Sequence, residues 1–269
     1  MNFFKSFLAS VLGTVVAFIF IGLLLMMSIA GIATAVSSSE SVPIEISDNS
    51  ILELDLDRPM FDNVGATQDF EEALGLGDDV LKFYEVVLAI RKAAKDDKIK
   101  GIDLKTMFPN MGWSQAQSIR KALEEFKAEG KFIYTYGDYF SQKGYYLASV
   151  SDSIFLHPMG GMEFKGLAAE VLYYKDFQDE YGFKMEVVRH GKYKSAVEPY
   201  LENEMSEANR TQISSLLNSI WDSANAAVAE GRGLTTAALN DIANELKAGL
   251  PQQAQENGLV DGLIYEEEY

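Results

Sequence analysis

The chain contains no cysteine and only two histidines, His157 and His190. The first absence excludes disulfide frameworks, thiolate nucleophiles and Cys-based metal sites in one step. The second excludes metal sites built on several imidazoles and leaves a His-based triad two candidates. Basic residues are scarce, 23 against 40 acidic ones, for a formal net charge of −17. Phosphate backbones repel such a chain, so nucleic acid is not an expected partner, and the acidic excess reads as solubility in water. The generic signatures are missing as well: there is no P-loop, no G-x-G-x-x-G, no G-x-S-x-G elbow and no H-E-x-x-H. No metal and no cofactor is called for by the residues present.

What is there begins with a long apolar run. No charged residue lies between Lys5 and Glu40, and Phe7 to Val36 is dominated by Leu, Val, Ile, Phe, Ala, Gly and Met. A span of this length exceeds the roughly 20 residues a bilayer needs. It also exceeds the roughly 7–15 residues of a signal-peptide core, so an uncleaved anchor is expected over cleavage at Ala33-Thr34-Ala35. Lys5 precedes the span, and Glu40, Glu45 and Asp48 follow it. The positive-inside rule then leaves the amino terminus in the cytoplasm. The remainder lies outside, which in a two-membrane bacterium means a single-pass inner-membrane protein with a periplasmic domain. The expected organisation is an anchor over residues 1–36, a Ser-rich linker over 37–50 and one α/β domain over 51–269, helical from about 205.

Within that domain the apolar periodicity switches between strand and helix. Ser50 to Asp57 alternates, with Leu52, Leu54 and Leu56 on one face. Asp62 to Asp79, rich in Gly and acid, reads as a loop. Asp78 to Asp96 predicts a helix with Val80, Phe83, Tyr84, Val87, Leu88 and Ile90 at helical spacing. Strands follow at Lys98–Leu104, Lys131–Tyr136 and Ser153–Pro158, with Gly160-Gly161 as a turn after the last. Between them lie helices at Trp113–Gly130, capped by Ser114 with Ile119, Leu123 and Phe126 buried, and at Ser141–Ser149. A helix over Leu167–Tyr181, a strand over Phe183–Val188, a helix over Ser206–Glu230 and another beginning at Thr235 complete the chain. Strands alternating with helices through short connections predict βα units around a largely parallel sheet.

One segment stands apart in an acidic chain: Arg189-His190-Gly191-Lys192-Tyr193-Lys194-Ser195-Ala196-Val197-Glu198-Pro199-Tyr200. A solvated basic loop is one reading of it. The other is a general-base lysine, which needs burial to lower its pKa toward neutrality. Tyr193, Ala196, Val197 and Tyr200 are the apolar residues available to wrap Lys194.

Gly191 to Pro199 resembles the G-x-Y-K-S-A-V-E-P stretch of the long form of the signal peptide peptidase A family, peptidase family S49. Tyr139 to Ser149, Ser153 to Pro158 and Glu256 to Asp261 resemble the amino-terminal half of the same family, in the same order. The resemblance implies a ClpP/crotonase-like α/β fold of repeated ββα and βα units. It further implies a membrane-bound, oligomeric Ser/Lys serine endopeptidase that degrades cleaved signal peptides. In that family a lysine of the first half is the general base and a serine of a second half is the nucleophile. The match assigns the base to Lys194 and leaves Lys192, His157 and His190 without a catalytic role.

The sequence departs from the family where the nucleophile would sit. In a Ser-Gly-Gly-Tyr-like stretch the aligned residues here are Gln142-Lys143-Gly144-Tyr145. Ser141 lies one residue early, about 100° away around a helix. The loop after the strand ending at Leu104, glycine-rich in the catalytic half of the family, here includes Pro109, which has no N–H to offer an oxyanion. The chain is therefore expected to be inactive alone and to need a Ser-bearing half. The alternative is a non-catalytic, membrane-anchored assembly module of the same fold. A crotonase-type acyl-CoA enzyme does not fit an extracytoplasmic domain.

Overall fold

The structure, a computed structural model, describes residues 2–37, 45–62, 80–188, 190–191 and 193–269. Half of the expected 37–50 linker and nearly all of the acidic 62–79 loop thus lie outside the described residues. The chain divides into two units. The first holds α1 (Asn2–Ser37), within which Phe3–Ser28 has a mean hydropathy of 2.6 and exposed side chains. Those 26 residues rise about 39 Å as a helix, more than the roughly 30 Å of a bilayer's hydrocarbon core. By length and composition this helix can cross a membrane.

The second unit, Ser47–Asn63 with Val80–Tyr269, contains the other elements of the described residues. In chain order these are β1 (Ser50–Asp55), β2 (Met60–Phe61), β3 (Leu81–Lys82), α2 (Phe83–Lys95), β4 (Ile99–Lys105), α3 (Trp113–Ala128), β5 (Phe132–Phe140), α4 (Gln142–Ala148) and β6 (Ser153–Met162). Then come α5 (Lys175–Tyr181), a 3₁₀ turn (Ser195–Val197), α6 (Glu198–Leu201), α7 (Glu207–Arg232), α8 (Thr236–Asn244), α9 (Pro251–Glu256) and β7 (Gly262–Leu263). One sheet runs in the order β1-β4-β5-β6-β7 with every pairing parallel, and β2 with β3 forms a small parallel pair. Parallel neighbours demand crossovers, which α2, α3 and α4 supply. The α/β class and the mostly parallel sheet expected from the sequence are therefore observed, as is the helical carboxy-terminal part.

Alternation along the strands places the core. Leu54, Leu56, Ile102, Leu104, Ile133, Ile154 and Leu156 are buried, as are Ile119, Leu123 and Phe126 of α3. Each fully buried side chain of this size contributes about 1.5–3 kcal/mol relative to exposure. Helix α2 packs on α3, and α4 packs on β5, β6 and α7. Gly130, at φ 80°, ends the α3 turn as its sequence position predicts.

Several boundaries differ from expectation. Helix α2 starts at Phe83, not Asp78, and buries Val86, Val87, Ile90, Ala93 and Ala94, while Tyr84 is exposed. Trp113 already belongs to α3, so the cap is Gly112, whose N–H donates to the Gln115 side chain at 2.7 Å, and not Ser114. Strands β5 and β6 run four residues beyond their expected ends, and Gly160-Gly161 lies inside β6 instead of forming a turn. The register there jumps from Gly137↔Leu156 to Tyr139↔Gly161. A Cβ on Gly160 would stand 2.0 Å from the Asp138 carbonyl oxygen, so the glycine permits this bulge. The expected helix over 167–181 shrinks to α5, with 167–174 irregular. The expected strand over 183–188 is absent: its apolar alternation has no neighbouring strand to pair with, and Phe183, Met185 and Val188 are exposed.

Candidate active site

The site is built where β5 hands over to α4. Ser141 adopts extended backbone, its N–H donates to Met107 O at 2.9 Å, and its Oγ accepts from the Gly144 N–H at 3.2 Å. It is the helix N-cap, a structural use that satisfies one of the orphan amides of the first turn. Gly144 is required by close approach: a Cβ there would meet Thr106 O at 2.3 Å and Met107 O at 2.6 Å. Tyr145 is fully buried and donates its hydroxyl to Leu259 O at 2.8 Å. Gly144-Tyr145 thus docks α4 against the 106–107 loop and the carboxy-terminal segment.

Gln142, which the sequence comparison above sets against the family nucleophile, opens α4. Its Oε1 accepts from the N–H groups of Lys165 and Gly166, each at 2.9 Å, and its Nε2 donates to Gly166 O at 2.8 Å. The side chain staples the segment after β6 onto the start of α4. An amide has no nucleophilic chemistry to offer a peptide carbonyl, and this one is committed to three backbone partners.

In the loop after β4 two backbone donors are taken up by a carboxylate. The N–H groups of Met107 and Phe108 converge on the carboxylate of Asp57, at 3.0 Å to Oδ2 and 2.6 Å to Oδ1. Asp57 is half-buried, and its pKa is raised: burial is the largest cause, opposed by the two amides and reinforced by Asp55. Sequence reasoning treated Asp57 only as the end of a strand; a lone acid after an alternating run carries no signal for this contact.

Asp57, Phe108, Pro109, Trp113, Ser141, Gln142 and Lys143 contribute to one cleft of about 560 Å³. The Lys143 amine donates to Met111 O and lies 6.0 Å from the centre of the Trp113 ring; burial lowers its pKa.

Lys194 is not among the described residues that line this cleft. It is exposed, as are Tyr193, Ala196 and Tyr200, and Val197 is only half-buried. The apolar wrapping expected of these four neighbours is therefore not provided by them in this chain. Leu172, Tyr174, Phe177, Tyr181, Phe183 and Val188 are exposed along the same stretch. Its best-fixed residue is Glu198, 1% exposed, which accepts from Ser206 Oγ at 2.6 Å and Asn209 Nδ2 at 3.0 Å. Arg189 and Lys192 lie outside the described residues. His190 is exposed, while His157 accepts the Met159 N–H on Nδ1 at 3.1 Å and stands edge-on to Tyr265.

Comparison with known proteins agrees with this arrangement of segments. The chain is 32% identical over 232 residues to "Protease 4" of Haemophilus influenzae, an alignment covering 81% of this chain and 38% of that protein. It is 35% identical over 189 residues to "Protease 4" of Salmonella typhi, covering 67% of this chain and 30% of the other. With the "Putative signal peptide peptidase SppA" of Enterococcus faecium it shares 28% identity over 181 residues, 66% of this chain and 52% of that one. The chain therefore spans between about a third and about a half of the length of these relatives. Residues 125–269 match the model for "Peptidase family S49", a range that takes in α4 with its cap, the Lys194 segment and the closing helices. More than half of the chain lies in that match, and the chain belongs to peptidase family S49.

Proposed function

We propose that this chain is the base-bearing domain of a membrane-anchored Ser/Lys endopeptidase that degrades cleaved signal peptides. Lys194 is the general base in this reading, and the nucleophilic serine comes from a second S49 domain, in an oligomer or in the remainder of a longer protein. The observation that carries it is the contrast between the two ends of the site. The nucleophile position is held by Gln142, stapled to Lys165 and Gly166, and the facing amides are held by Asp57. Lys194, within the range that matches the family model, is instead exposed among exposed aromatic residues. A contiguous run of exposed large apolar side chains marks an interaction surface. Burial of that surface against a second domain would also provide the low-dielectric niche a neutral lysine needs.

In the reaction so assembled, the Lys194 amine takes the proton of the partner serine as its oxygen attacks the peptide carbonyl, and returns it to the leaving amine. The acyl-serine is then hydrolysed by water. The apolar helix over Phe3–Ser28 would hold the domain at the membrane, outside the cytoplasm, where cleaved signal peptides are released. The name of the Enterococcus faecium relative, a signal peptide peptidase, supports that substrate class.

The test uses the full chain in detergent micelles with apolar peptides, alone and together with a Ser-bearing S49 domain. The lone chain is expected to hydrolyse nothing, the pair to turn over, and Lys194→Ala to abolish turnover without lowering the melting temperature. Undiminished activity of the Lys194→Ala pair removes Lys194 from the mechanism. Turnover by the lone chain that vanishes in Ser141→Ala places the nucleophile in this domain and overturns the division of labour. A pair that assembles but never cleaves is the outcome expected of a non-catalytic assembly module.

A further inference from the structure

Glu198 is the one buried carboxylate among the described residues, and it sits four residues after Lys194 in a segment that is otherwise mostly exposed. Burying a charge is costly unless it is bonded, and simple stability is served as well by an apolar side chain. The bonds are present. Oε1 accepts from Ser206 Oγ at 2.6 Å; Oε2 accepts from Asn209 Nδ2 at 3.0 Å and from the Ser206 N–H at 3.4 Å. Ser206 is at the same time the N-cap of α7, accepting the Asn209 N–H at 3.2 Å. The carboxylate therefore lies at the positive end of a 26-residue helix, where a negative charge is favoured.

That helix is fixed at its other end. Arg232, in its last turn, donates to Gly258 O at 3.1 Å and to both oxygens of Asp261 at 2.8 and 3.0 Å, and Asp261 in turn accepts the Ile154 N–H of β6 at 2.8 Å. A continuous path of bonds runs from the central sheet along α7 to Glu198. From Glu198 only the 3₁₀ turn Ser195–Val197 separates it from Lys194. A lysine is long and flexible, so a base of this type needs its backbone set by something rigid if its amine is to reach one oxygen.

We infer that Glu198 is a positioning residue for Lys194: its carboxylate ties the lysine-bearing turn to the amino-terminal end of α7 and so fixes where the amine is presented. The inference rests on the reading of Lys194 as the base, and it adds a requirement that reading does not contain. Glu198 touches no substrate and moves no proton; it acts through the backbone of residues 194–198.

Two measurements test it, one independent of catalysis. In the full chain alone, hydrogen exchange of the peptide spanning 194–206 is expected to be about tenfold faster in Glu198→Ala, with exchange in β4, β5 and α3 unchanged. In the active pair, Glu198→Ala is expected to lower kcat by about 100-fold with KM within about threefold, the cost of misplacing a reacting group by about an ångström. Glu198→Gln, which keeps the shape and an acceptor, should recover part of both. Full activity of Glu198→Ala in a pair that Lys194→Ala inactivates overturns the inference and leaves the base assignment standing. Full activity of the Lys194→Ala pair removes the base assignment itself, and the exchange data then decide alone whether Glu198 clamps the turn. Unchanged exchange over 194–206 in Glu198→Ala sinks the clamp. So does acceleration spread over the whole domain, which marks a general loss of stability; Glu198→Gln, expected to fold, guards against that confusion.

Discussion

Replacing Gln142 by serine puts a hydroxyl where the proposed reading sets the family's nucleophile, and the structure gives a definite expectation for it. The serine hydroxyl is too short to reach the 165–166 backbone, so three hydrogen bonds are lost at once. At about 0.5–1.5 kcal/mol each, the sum is about 1.5–4.5 kcal/mol, and water entering this half-buried position reduces it to about 1–3 kcal/mol. For a domain of this size class that corresponds to a melting temperature lower by about 2–12 °C, at about 2–4 °C per kcal/mol. Gln142→Glu keeps the two acceptor contacts and loses the donor, so it should fall between. Thermal melts followed by circular dichroism read the stability, and a fluorophosphonate probe reads nucleophilicity. No stoichiometric labelling of Gln142→Ser is expected, because the Met107 and Phe108 amides remain on Asp57. An unchanged melting temperature would refute the stapling role of Gln142. Rapid labelling would refute the claim that this domain lacks a usable oxyanion hole.

Two further expectations concern the frame around the site. Gly144→Ala should cost about 1–3 kcal/mol or more, because its Cβ meets two backbone carbonyl oxygens that cannot swing away; chemical denaturation gives the value, and a loss near zero would show that the 106–107 loop yields. Asp261 has a lowered pKa: burial opposes ionisation, but Arg232 and the Ile154 amide outweigh it. Its contribution is therefore full above the unfolded value near 3.8 and is lost as pH falls through the lower folded value. Arg232→Met should flatten that acid limb of the stability profile, measured by urea unfolding between about pH 2 and 6, and an unaltered limb would exclude the pair as its origin.

The parts of the molecule that were readable from sequence are those with a periodic signal. Leu54 and Leu56 on alternating positions of β1, and Ile119, Leu123 and Phe126 on one face of α3, are buried as the pattern requires. Pairing is a different kind of information. Phe183 to Val188 alternates much as β1 does, but no strand lies beside it, and alternation alone cannot report a missing neighbour. The extension of β6 through Gly160 and Gly161 was hidden for the converse reason: glycines read as a turn until the opposing Asp138 carbonyl is known. At the site, Ser141 and Gln142 stand at the head of α4 as the helix expected over 141–149 requires. The carboxylate that bonds the Met107 and Phe108 amides comes from Asp57, 50 residues before Met107, and such a long-range contact leaves no trace in local composition. Lys194 takes its weight from a motif, and a motif does not report whether the side chain is buried; in the structure it is exposed.

The departures at Gln142, Pro109 and Asp57 reinforce one another. A peptidase must place negative charge on an oxygen held by backbone amides, and here a carboxylate already holds two of them. Two like charges about 4 Å apart repel by about 4 kcal/mol at an effective dielectric near 20. A barrier raised by that amount is a rate lowered by about a thousandfold. Restoring the serine therefore repairs only one of two independent faults, and neither fault strains the fold: Gln142 and Asp57 each satisfy backbone groups that would otherwise be left open. On the proposed division of labour, a cleft whose Gln142 and Asp57 are both committed to backbone bonds leaves Lys194 to act on the serine of a second domain. The exposed setting of Lys194, next to a 3₁₀ turn that Glu198 follows and amid exposed aromatic side chains, supports that proposal.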